Sequence, residues 1–104
     1  MAYRYTVQAI FTDTDVAEEW VHWLKTGHCQ EVLDAGATHA EVLKLDGNEH
    51  RFEVRYDFPN RDIFAAYERD HAPRLRAEGL DRFPIERGIH YARSTGAVIF
   101  DENQ

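Results

Sequence analysis

The sequence predicts a two-layer α+β sandwich of order βαββαβ, and three observations carry that prediction. Strand-like alternation and helix-like periodicity follow one another as strand, helix, strand, and then again in the same order. A turn signal, Asp46-Gly47-Asn48, joins the two halves as a hairpin, because Gly and Asn accept positive φ. One segment is nearly written twice: His28-Cys29-Gln30-Glu31-Val32-Leu33-Asp34-Ala35-Gly36 and His71-Ala72-Pro73-Arg74-Leu75-Arg76-Ala77-Glu78-Gly79. Each copy opens on a histidine, has an aliphatic residue four places on, and closes on a glycine eight places on.

The elements follow in order. Tyr3, Tyr5, Val7, Ala9 and Phe11 alternate with Arg4, Thr6 and Gln8, which is a strand with one buried face. Asp13-Thr14-Asp15 starts a helix, with Asp15 and Glu18 spaced as a capping box. Its apolar stripe is Val16, Trp20, Trp23, Leu24 and Gly27. Val32 and Leu33 fall off that stripe, which predicts a break near Gly27-His28 and a short second helix ending at Gly36. A second strand runs from about His39 to Leu45. Arg51 to Phe58 is the cleanest strand, with Phe52, Val54, Tyr56 and Phe58 on one face. Asn60 is placed to cap the next helix, whose stripe is Phe64, Tyr67, His71, Leu75 and Glu78. Pro73 breaks that helix just after its histidine, and Gly79 ends the second segment. The last strand is expected from about Arg87 to Arg93.

Right-handed crossovers place the first and third strands side by side and both helices on one face. This is the ferredoxin-like arrangement: an antiparallel four-stranded sheet under two broken helices. Residues 1–95 are expected to form the single domain, with 96–104 as a C-terminal tail.

Composition excludes several classes of function. The chain has 104 residues, 19 Asp and Glu against 12 Lys and Arg, and a net charge of −7. That sign disfavours nucleic acid and anionic membrane surfaces as partners. No apolar run approaches the length of a membrane span, and the N-terminus moves straight into a strand without a secretory signal. The lone Cys29 has no internal disulfide partner, which points to a reducing cytoplasm. No His or Cys spacing typical of a metal site occurs, and no metal or other cofactor is expected.

The sheet face away from the helices carries Arg4, Thr6, Gln8, Glu53, Arg55 and Asp57. Two readings apply to it: a solvated face with alternating charges, or a homodimer in which two such faces meet. The homodimer reading takes Arg4, Gln8, Glu53 and Arg55 as interface residues. Val98 and Phe100 in the apolar tail would then add to a neighbour's sheet edge.

The stretch from His71 to Leu80 with Arg82-Phe83, the first-helix residues Glu19-Trp20, Trp23-Leu24, His28 and Glu31-Val32-Leu33, and the strand residues Val54-Arg55-Tyr56 together resemble the domain of unknown function 4286 family. The resemblance implies the dimeric α+β barrel group, whose members pair through their sheets. That group includes cofactor-free monooxygenases, isomerases, haem-handling enzymes and plain ligand-binding modules. The family itself carries no activity to transfer.

Candidate chemistry lies on the helix-facing side. Tyr5 and Tyr56 from the sheet face Trp20, Trp23, His28, Tyr67 and His71 from the helices, and these seven are the candidate ligand-binding residues. His28, His71 and Tyr67 are the candidate catalytic groups, because an imidazole titrates near neutral pH. Two explanations stand side by side for this cluster. One is a self-satisfied polar network in a non-catalytic dimeric or regulatory module. The other is a small-molecule pocket, extending to a cofactor-free monooxygenase- or isomerase-like enzyme. The two histidines divide likewise between capping helix ends and working as acid or base.

Overall fold

A computed structural model of the chain describes residues 1–102. The last two positions of the tail, residues 103 and 104, lie outside the described residues. The elements are β1 (Tyr3–Phe11), α1 (Thr14–Trp23), a π turn (Leu24–His28), α2 (Cys29–Asp34), β2 (His39–Lys44), β3 (His50–Phe58), α3 (Arg61–Asp70), α4 (Ala72–Arg82), a 3-10 turn (Ile85–Arg87) and β4 (Ile89–Ala97).

All pairings are antiparallel and the strand order is β2-β3-β1-β4. The two longest-patterned strands are therefore central, where burial demands the clearest alternation. Tyr5 pairs with Tyr56, Val7 with Val54 and Ala9 with Phe52. This register puts Tyr5, Ala9, Phe11, Val54, Tyr56 and Phe58 on one face, and all six are buried. The helices cover that face: Phe11 packs on Trp20 with ring centroids 5.4 Å apart, and Phe58 packs on Tyr67 at 5.1 Å.

The opposite face is laced by charge. Arg4 binds Asp57 at 2.8 Å, Gln8 binds Glu53 at 3.2 Å and Arg55 binds Glu53 at 2.9 Å. Pairs of this exposure contribute at most about 1 kcal/mol each, so the sheet is held together by its backbone ladder rather than by these ions.

β4 extends four residues beyond the expected Arg93. Its register on β1 continues to the Tyr3–Ala97 pair, because β1 starts at Tyr3 and offers a partner that far. The Val98 amide then donates to the Ala2 carbonyl at 2.8 Å. The apolar tail thus begins on its own sheet rather than outside the four-strand plan.

The helices correct the sequence reading in three places. Asp13, not Asp15, caps α1: its side chain accepts from the Asp15 amide at 2.8 Å, with Asp13 itself extended. The expected break near Gly27-His28 is a π turn instead, with the Cys29 amide donating to the Leu24 carbonyl five residues back. A π turn holds one residue more than an α turn. That extra residue resets the helical phase by about 100°, which returns Val32, fully buried, to the stripe of Val16, Trp20 and Leu24. The third correction is Gly79, which does not end its segment. α4 runs on to Arg82, and a Cβ at Gly79 would lie 3.3 Å from the Trp23 ring. Glycine is there for close helix approach. Asn60 caps α3 as expected, accepting from the Ile63 amide at 2.9 Å. Among the described residues, no helix is long and apolar enough to cross a membrane.

Candidate functional site

A cavity of about 70 Å³ lies between the helices and the sheet. β1 contributes Tyr5 and Val7, β3 contributes Val54 and Tyr56, and β4 contributes Tyr91 and Arg93. Above them stand Trp20 and Trp23 from α1, Leu24 and His28 from the π turn, Tyr67 from α3, and Leu75, Arg76, Gly79 and Leu80 from α4. The volume is well below the ~150 Å³ that holds benzene in an apolar cavity. It suits a few water-sized groups. Leu80 is half exposed and Arg93 is exposed, which puts the mouth between α4 and β4.

Six of the seven expected binding residues meet here: Tyr5, Trp20, Trp23, His28, Tyr56 and Tyr67. His71 does not line the cavity. It sits half-buried at the junction of α3 and α4, 6.5 Å from Tyr67 between ring centroids. Pro73 is in the first turn of α4 and the helix axis bends at His71, so the imidazole is left beside the stripe rather than under it.

His28 has the other fate. The π turn carries it onto the buried side, where it stacks on Trp23 at 4.2 Å and 21°. Burial lowers its pKa to about 4, against a smaller opposing pull from Glu78. It is therefore a neutral imidazole at pH 7, and its Nδ1 is buried without a hydrogen-bond partner among the described residues.

The phenols differ in how they are satisfied. Tyr91 donates to the Phe83 carbonyl at 2.7 Å, and burial raises its pKa to about 12. Tyr56 lies 3.8 Å from the Cys29 sulfur, and burial pushes its pKa far up. Burial likewise raises the Cys29 thiol, so at neutral pH it is a protonated thiol and not a nucleophile. Tyr67 is only 3% exposed, yet its hydroxyl makes no hydrogen bond among the described residues.

Sequence reasoning missed the cationic part of this wall. Neither Arg76 nor Arg93 is among the expected site residues, yet both border the cavity. The alternation in β4 gives the missing signal: Tyr91 and Arg93 share a parity, so a strand that buries one turns the other to the same side. Among the described residues no group of three His, Cys, Asp or Glu side chains converges as a metal site.

A broader groove of about 650 Å³ runs between the first helix and the edge strand β2, lined by Val21, Lys25, Cys29, Leu33, Val42 and Phe52 among others.

Comparison with known proteins gives the chain its family. The model of the Domain of unknown function (DUF4286) matches residues 2–89, and the chain belongs to that family. No curated protein matches it. Among solved structures it is similar to a dimeric ferredoxin-like protein from an uncultured marine organism, with TM-score 0.75, 12% identity and 97% of each chain covered. It is also similar to SnoaB, a cofactor-independent oxygenase from Streptomyces nogalater, with TM-score 0.69, 6% identity, and 99% of this chain and 98% of that one covered. A third is a monooxygenase of Streptomyces coelicolor in complex with the ligand nanaomycin D, with TM-score 0.65, 11% identity, and 96% and 93% covered. At these identities the likeness establishes the ferredoxin-like fold.

Proposed function

We propose that this protein is a homodimeric small-molecule-binding domain whose ligand enters between helices and sheet. One observation carries the reading: a cavity walled by two tryptophans and four tyrosines, among them Tyr67, whose hydroxyl makes no hydrogen bond among the described residues. A fully paired polar core, the mark of a purely structural module, would have engaged that hydroxyl as it engages Tyr91.

Turnover ranks below binding. The oxygenase neighbours share the fold, but the base that cofactor-free oxygenation of a phenol would call for is weak here. His28 is held near pKa 4, some six units below an ordinary phenol, and His71 is outside the cavity. His28 is better suited to stacking and to accepting or donating one hydrogen bond.

The homodimer reading joins two open sheet faces through Arg4, Gln8, Glu53 and Arg55, with Val98 and Phe100 reaching the partner's edge. It draws on the dimeric description of the marine neighbour and on Ile99 and Phe100, which are 85% and 82% exposed. A reducing cytoplasm remains the proposed location, on the single thiol.

The chain's two tryptophans both line the cavity, so ligand entry is readable in their emission. A metabolite screen following melting temperature and tryptophan emission together tests the reading. The expected result is a compound that moves both. A screen in which stabilising compounds leave the emission untouched would place binding elsewhere. Sedimentation at micromolar concentration, with and without residues 98–104, tests the dimer.

A further inference from the structure

The cavity wall reverses the sign of the molecule. The chain carries a net −7, yet no carboxylate is among the cavity's described lining residues, which include two guanidiniums. Arg76 is ion-paired to Glu68 and lies 6.0 Å from the Tyr5 ring centroid. Its Nε is buried without a partner. The Arg93 guanidinium has no hydrogen-bond or ion-pair partner among the described residues. Both cations act on one group. Burial raises the Tyr67 phenol, with Tyr5 and Glu68 adding to it, while Arg76 and Arg93 each pull it the other way. The unpaired hydroxyl of Tyr67 therefore lies within the field of both.

We propose that this corner is an anion subsite, and that the ligand is a small organic monoanion of the carboxylate class. Its anionic head fills the cavity against the Tyr67 hydroxyl and Arg93, and its apolar body lies along Leu80 and Trp23 at the mouth. Three features fit this orientation. The enclosed volume matches a group of a few heavy atoms rather than a ring. Tyr67 supplies a donor where the head would sit. Glu68 already neutralises Arg76, so one net positive charge, that of Arg93, is left to match one negative charge. Hydrogen bonds to ionised partners are roughly twice as strong as neutral ones, so charge, not shape, would set the selectivity.

The inference rests on the pocket reading above, and one experiment separates the two. Benzoate, benzamide and benzylamine have similar shape and differ in charge. Each is titrated against the full chain, following tryptophan emission and heat. The expected order has benzoate at least about tenfold tighter than benzamide, with benzylamine weakest. Arg93→Gln is expected to remove that advantage, bringing the benzoate-to-benzamide ratio to about one, while leaving circular dichroism unchanged, since Arg93 is exposed on an edge strand. Tyr67→Phe is expected to weaken benzoate by a smaller factor. Benzamide binding as tightly as benzoate, or Arg93→Gln leaving their ratio unchanged, would overturn the anion subsite and leave the pocket standing. No response to any of the three would overturn both.

Discussion

The two halves of the chain meet the same problem and solve it differently. Each has a histidine where helical periodicity slips, and each sends an aliphatic residue, Val32 or Leu75, back into the core. In the first half the slip is absorbed inside a continuous helix, as a π turn that swings His28 inward onto Trp23. In the second half the axis bends at His71 before Pro73, and the imidazole is left beside the core. An irregularity in a hydrophobic stripe thus signals that the phase must be corrected. Whether it is corrected by an extra residue or by a bend decides which side chain is buried.

The sharpest way to break this comparison is to change the residue count of the π turn. One alanine inserted after Thr26 adds another rotation of about 100° and turns Val32 out of the core. The expected loss is about 3 kcal/mol or more by urea denaturation. Deleting Thr26 leaves a regular α-helix with Val32 still on its stripe, and is expected to cost under about 1 kcal/mol. Equal damage from insertion and deletion would show that the turn is not one extra residue.

The next effect sharpens the contrast in burial. His28 has a folded pKa near 4 against about 6.5 unfolded, so the unfolded chain takes the proton first. Its contribution to stability is intact above about pH 6.5 and is lost as pH falls toward 4, by up to about 3 kcal/mol. His28→Gln is expected to flatten stability against pH across that window, as measured by melting temperature. A wild-type curve already flat there would refute the burial argument.

Smaller effects come from the helix starts, where the halves agree. Asp13→Ala and Asn60→Ala each remove one side-chain acceptor from a helix N-terminus and are expected to cost about 1 kcal/mol apiece. The smallest effect belongs to His71→Ala, within about 0.5 kcal/mol and with the binding of any pocket ligand unchanged. A loss of binding there would bring His71 back into the site.

Much of the fold was legible because β1 and β3 are central strands whose alternate residues are buried or half-buried, and pattern follows burial most closely there. The end of β4 was not legible: Arg93 to Ala97 are exposed on an edge, and their strand state depends on the length of β1 rather than on their own residues. The site was half legible. Aromatic residues at strand and helix periods announced the cavity. His71 was misplaced because its stripe position assumed a straight helix. Arg76 and Arg93 were missed because a charged residue in sequence gives no sign of whether a carboxylate answers it.

The meeting of Ala2 and Val98 has a use of its own. Because these two positions share a hydrogen bond, a short linker could join them and the chain could be reopened at Gly47, in the exposed hairpin turn. Such a circularly permuted molecule would retain all four strands in their present order. Its new ends would lie at the β2–β3 turn, toward the Phe11 end of β1 rather than the Tyr3 end, so that fused reporters could be attached away from the joined Ala2 and Val98.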